Sequence, residues 1–145
     1  VRPMGRSAKG VGGIKLSREK DSVVGTVIIP KKSKNIELLV LSELGYGKKT
    51  ATEEYKVQKR AGSGILTYKV KDKTGRLVTA RAIERDKNLD VLIATTSGKI
   101  IRLSAKQIPT LGRATQGVRL IKLNERDKVA SVAVIGEEEQ EISTE

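Results

Sequence analysis

The sequence predicts an all-β fold: blades of four short antiparallel strands repeated around an axis, about three of them present and the ring incomplete. Three observations predict it. The large apolar residues are almost all Val, Ile and Leu, with one Met and no Phe or Trp, and β-branched side chains favour strands. A basic, glycine-containing segment occurs three times, at offsets of 54 and 53 residues. An apolar hairpin pattern recurs at the same interval.

The first element, "RSAKGVGGIKL" at residues 6 to 16, returns as "RAGSGILTYKV" at 60 to 70 and "RATQGVRLIKL" at 113 to 123. Arg6, Arg60 and Arg113 align, as do Gly10, Gly64 and Gly117, and Lys15, Lys69 and Lys122. The glycines suit a bulge or a positive φ ahead of a strand. Apolar columns follow: Val11, Ile65 and Val118; Ile14, Tyr68 and Ile121; Leu16, Val70 and Leu123. Tyr68 therefore reads as core.

The second element is "ELLVLSELGYGKK" at 37 to 49, matched by "DVLIATTSGKIIR" at 90 to 102. Each is an apolar strand, a turn at Gly45 or Gly98, and a basic exit carrying Lys49 or Arg102. A looser third element follows each arginine segment: "DSVVGTVII", "GRLVTARAI" and "DKVASVAVI". The expected organisation is a partial blade at 1–36 lacking its first strand, a blade at 37–88, a blade at 89–135 and an acidic tail at 136–145. Two and a half blades do not close a ring, so a longer parent is expected.

Catalysis is hard to build from this alphabet. With no His and no Cys, the chain lacks the commonest general base, thiolate chemistry and the usual zinc ligands. "GYGKKT" at 45 to 50 is the nearest approach to a phosphate-binding P-loop, but the GxxxxGK[ST] spacing is missing and its repeat partner is "GKIIRL", so it reads as a hairpin turn. The acidic residues ahead of the tail are scattered and form no acid–base pair. No catalytic residue is expected. No apolar run approaches the length of a membrane span, and the N-terminal stretch has no signal-peptide centre, so the cytoplasm is the expected compartment.

The formal net charge is +12, and five of the 17 acidic residues stand in the last ten positions. Over residues 1–135 that leaves 29 cations against 12 carboxylates, or +17, a balance that calls for a polyanionic partner. A solvated turn has no need of arginine at the same place three times. Blades that each place one cation on a shared rim make a track for phosphates. The expected contacts are Arg6, Lys9, Lys59, Arg60 and Arg113, with Lys48, Lys49, Lys99 and Arg102 as a second line. Small neighbours, Ser7, Ala8, Ala61, Gly62 and Ala114, would let a nucleic-acid backbone come close. Three tyrosines are the only aromatic residues, too few for the stacking platforms that hold single strands. Duplex backbone, read with little base specificity, is the expected ligand; ribosomal or other structured RNA is the alternative.

"VRPMGRSAKGVGGIKL", "GYGKKTATEEYKVQKRAGSGI" and "GRATQGVRLIKL" resemble the C-terminal domain of the DNA gyrase A protein and the related domain of its topoisomerase IV counterpart, in order along about 135 residues. The resemblance implies a β-pinwheel, a propeller-like ring whose neighbouring blades exchange strands and whose basic outer edge bends duplex DNA, in support of ATP-dependent negative supercoiling. It implies that the chain is the last part, roughly the final three blades, of the gyrase A protein, with the topoisomerase IV counterpart left open by the lack of a full heptapeptide. Its partners would be duplex DNA, the rest of gyrase A, and gyrase B in an A2B2 assembly, in the bacterial cytoplasm at the nucleoid. No cofactor belongs to this stretch; ATP and Mg would act elsewhere in the parent enzyme, as would the active-site tyrosine. The family's heptapeptide "QRRGGKG" is matched by "QKRAGSG" at Gln58, Arg60, Gly62 and Gly64, with a cation kept at Lys59 and departures at Ala61 and Ser63. That makes 58 to 64 a degenerate copy, with the full box expected upstream of Val1.

Overall fold

The computed structural model describes residues 2–31 and 33–136; the expected acidic tail, Gly136 excepted, lies outside them. Seven strands are described, with two single 3₁₀ turns and no α-helix among the described residues. They build two antiparallel sheets. One has the order β3 (Leu77–Glu84), β1 (Ile36–Ser42), β2 (Tyr46–Ala51), β6 (Val118–Arg119); the other has the order β5 (Ile100–Ser104), β4 (Leu89–Thr95), β7 (Val129–Gly136). Both sheets are open, and the described residues form no closed ring.

The two hairpins form where the apolar repeat places them. β1 pairs with β2 through Leu39↔Lys49 and β4 with β5 through Leu92↔Arg102, which are equivalent registers. Gly45 and Gly98 close the turns at φ 83 and 85, so "GYGKKT" is a turn and a strand. The looser third element is β3 in its second copy and β7 in its third, lying on the outer sides of β1 and β4.

In two respects the chain differs from a simple reading of the repeat. The first copy, "DSVVGTVII", forms no strand. β3 and β7 each pair with the inner strand of a hairpin, and among the described residues 2–20 there is no such hairpin. Val23, Val24 and Ile28 consequently stay exposed. The second difference is β6, which belongs to the third arginine segment yet pairs not with its own unit's hairpin but with β2 of the β1–β2 hairpin, through Tyr46↔Arg119 and Gly47↔Val118. A strand is thus handed from one unit to the sheet of the unit before it.

The core lies between the sheets and is aliphatic: Leu39 and Leu41 of β1, Ile83 of β3, Val91 and Ile93 of β4, Val129 and Val132 of β7, with Ala105, Ile108 and Ile121 from the connecting turns. Each large buried side chain of this kind contributes about 1.5–3 kcal/mol. Asp127 ties the β4–β5 turn to the start of β7. Its carboxylate accepts from Thr96 Oγ1 (2.9 Å), Ser97 N (3.0 Å), Ser97 Oγ (2.7 Å) and Lys128 N (3.0 Å). The Ser97 bonds first, helped by those from Thr96, hold its carboxyl well below the usual carboxylate range against the opposing effect of burial.

Candidate nucleic-acid interface

The three repeated arginines each open a tight turn, at residues 6–7, 60–61 and 113–114. Four residues on, Gly10, Gly64 and Gly117 all have positive φ (80, 76 and 70), so the aligned glycines have a backbone reason. Successive loops are joined by one recurring contact. Lys15 N donates to Gly62 O at 3.0 Å, and Lys69 N donates to Thr115 O at 2.9 Å; donors and acceptors follow the repeat offsets. Each arginine loop is therefore set against the next by the same backbone bond, and Ala61 N returns a second bond to Gly13 O at 2.9 Å.

Arg6, Lys9, Lys59, Arg60 and Lys99 are exposed, and no ion pair among the described residues takes up their charge. Arg113 is half-buried, and its backbone N–H donates to Glu54 Oε2 at 3.2 Å. These side chains are available to an anion. Ser7, Ala8, Ala61 and Ala114 beside them are exposed as well.

The second line needs correction at two positions. Lys48 is fully buried and its ammonium is spent on protein acceptors: Gly112 O (2.5 Å), Arg113 O (2.7 Å) and Thr115 Oγ1 (3.0 Å). It cannot reach a phosphate in this fold. Lys49 keeps only 12% side-chain exposure and pairs with buried Glu37 at 3.1 Å. Burial by itself would raise the Glu37 carboxyl, but the Thr110 hydroxyl bond and the Lys49 and Arg85 cations hold it below its ordinary value. The pair recurs: Arg102, at the equivalent place on β5, is bound to Asp90, with Nε to Oδ2 at 2.6 Å, while remaining exposed. Lys49 and Arg102 thus brace their hairpins.

One signal in the sequence pointed to this. The repeat partner of Lys48 is the apolar Ile101; adjacent strand residues face opposite sides of a sheet, and both sides of β2 are covered, with Lys49 opposite core Leu39 and Lys48 opposite buried Val40. Tyr68, 3% exposed, packs in the apolar column assigned to it, with Lys48 Nζ 5.8 Å from its ring centre.

A family model described as the DNA gyrase C-terminal domain, a β-propeller, matches residues 1–30, 37–84 and 89–135. The chain belongs to the DNA gyrase C-terminal domain family. The gyrase A protein of Lawsonia intracellularis is 46% identical over 125 residues, covering 86% of this chain and 15% of that protein. The gyrase A protein of Staphylococcus aureus is 40% identical over 145 residues, covering 100% of this chain and 16% of that protein. The chain therefore spans about 15–16% of the length of the gyrase A relatives it matches. Among solved structures, a DNA gyrase A C-terminal domain superposes with a TM-score of 0.62 at 28% identity, over 68% of this chain and 33% of that one. A topoisomerase IV C-terminal domain superposes with a TM-score of 0.77 over 88% of this chain and 38% of that one; at 22% identity it shows the fold alone. As a member of the gyrase C-terminal family, the chain carries its arginine series on a propeller-type scaffold with strand exchange between units.

Proposed function

We propose that this chain binds and wraps duplex DNA without base specificity, as the C-terminal part of a gyrase A protein, and so supports ATP-dependent negative supercoiling by the assembled type II topoisomerase. The observation that carries the reading is the arginine series: three equivalent turns, set against one another by a recurring backbone bond, with Arg6 and Arg60 exposed and unpaired among the described residues. Regularly spaced cations that ignore base identity match a duplex backbone that is bent rather than read. Burial of Tyr68 removes one of three candidate stacking rings and favours duplex over single strands. Duplex DNA, the remainder of gyrase A, and gyrase B in an A2B2 assembly are the proposed partners, in the bacterial cytoplasm at the nucleoid. ATP and Mg would act in other parts of that assembly.

The test is competition of a labelled duplex against structured RNA and single strands of equal length across a salt series. If about six phosphates are neutralised, log affinity falls against log salt with a slope near −5. A flat response removes the proposal, and a preference for RNA replaces it with the ribosomal reading. Arg60→Glu weakens duplex binding while the chain stays folded. Relaxed plasmid incubated with the complete gyrase A protein and a nicking-closing enzyme then reports whether DNA is wrapped, and in which hand.

A further inference from the structure

Lys48 raises a question of its own. An ammonium has three N–H donors and no acceptor, and all three are directed at the 112–115 turn: Gly112 O, Arg113 O and Thr115 Oγ1. Burial pushes its pKa down, with the nearby Glu54 carboxylate opposing. Tyr68 lies over the same ammonium. The side chain thus converges on two main-chain carbonyls and one hydroxyl of the loop that presents Arg113, much as a bound cation gathers the oxygens of a coordinating loop.

On β5 the equivalent residue is Ile101, so the repeat accepts an aliphatic side chain at this place, with less desolvation than an ammonium. The ammonium of Lys48 is accounted for by what it bonds, the oxygens of the 112–115 turn.

We infer that Lys48 is a positioning residue: it holds the 112–115 turn against β2 so that Arg113 keeps its place in the cation series. The inference rests on the duplex-binding reading above. It is tested by a double-mutant cycle on the chain, with a labelled mixed-sequence duplex and with folding checked by circular dichroism. Lys48→Met keeps the stem and removes the ammonium. The expected result is a loss of affinity of about 3- to 10-fold with a salt slope shallower by about 1, the signature of one lost phosphate contact. Arg113→Ala gives a similar loss, and Lys48→Met adds nothing in that background. In an Arg60→Ala background, Lys48→Met weakens binding by its full factor.

Unchanged affinity in a folded Lys48→Met chain overturns the inference, as does an equal further loss on top of Arg113→Ala. If Arg113→Ala and Arg60→Ala both leave affinity untouched, the duplex-binding reading itself has failed, and that is visible without any Lys48 variant. Should Lys48→Met not fold, Thr115→Val removes one acceptor and leaves the charge paired, and it is carried through the same cycle with the same two outcomes.

Discussion

Gly117→Ala tests the handed-over strand directly. Gly117 has φ 70, and a Cβ built there would stand 2.6 Å from Gly47 O, 2.9 Å from Gly47 C and 3.3 Å from Tyr68 Cε2. The left-handed backbone costs an alanine about 1–2 kcal/mol. The carbonyl clash cannot be relieved by a rotamer change, because both partners are main chain, so β6 must move off β2. That movement threatens the Gly47↔Val118 pairing and the Leu120 N to Gly45 O bond of 2.9 Å, at about 1 kcal/mol for each hydrogen bond. After about 0.5 kcal/mol returned by the stiffer unfolded chain, the net loss is about 3 kcal/mol. For a chain of this size that is about 10 °C in melting temperature. Gly64 is the internal comparison. Its φ is 76, yet its Cβ would meet only Ile14 Cδ1, at 3.5 Å. Gly64→Ala therefore carries the backbone cost alone, about 1 kcal/mol net. Thermal unfolding followed by circular dichroism, with hydrogen exchange at the Leu120 amide, separates the two. Equal melting shifts, or an unchanged Leu120 amide in Gly117→Ala, would refute the argument that strand docking sets the difference.

Three further outcomes are expected. Ala61 is a non-glycine residue at φ 57, so Ala61→Gly relieves about 1–2 kcal/mol of strain against about 0.5–1 kcal/mol of added unfolded-state freedom; hydrogen exchange around residues 60–64 should slow, and faster exchange would count against strain there. Asp127 has a lowered folded-state pKa, so its stabilisation is complete above the unfolded value of about 3.9 and drains away as pH falls through the folded value. In Asp127→Ala the acid-side decline between about pH 4 and pH 2 should be shallower than in the parent, as read by urea midpoints across pH. Leu39 is fully buried in the central strand, and Leu39→Ala should cost about 2–5 kcal/mol, measured by urea unfolding.

Much of the architecture was legible because it is local. The hairpins announced themselves through aliphatic runs that stop at Gly45 and Gly98, and the repeat carried β3 and β7 with them. What was hidden is non-local. Nothing within residues 113–123 states that Val118 will pair with Gly47, since the partner lies some seventy positions upstream and is chosen by packing, with Ile121 set over Gly45. The same blindness affected the site. Arg6, Arg60 and Arg113 were legible as a column; Lys48 and Lys49 looked like a basic exit, because composition counts charges without seeing that both sides of β2 are covered. The first copy of the third element failed for a related reason: strand propensity in Val23, Val24 and Ile28 counts for little without a neighbouring strand to receive its hydrogen bonds.

The bonds from Lys15 to Gly62 and from Lys69 to Thr115 bear on how such a surface can change over time. The two repeat offsets differ by one residue, yet the contact is the same in both places. Spacing between cations is thus decided at the seam between units, while length in the intervening hairpins and turns is left free. Insertions far from the seam would leave the pitch of the track untouched. A small change in the seam would alter it at every unit and, with it, the curvature imposed on whatever lies along it.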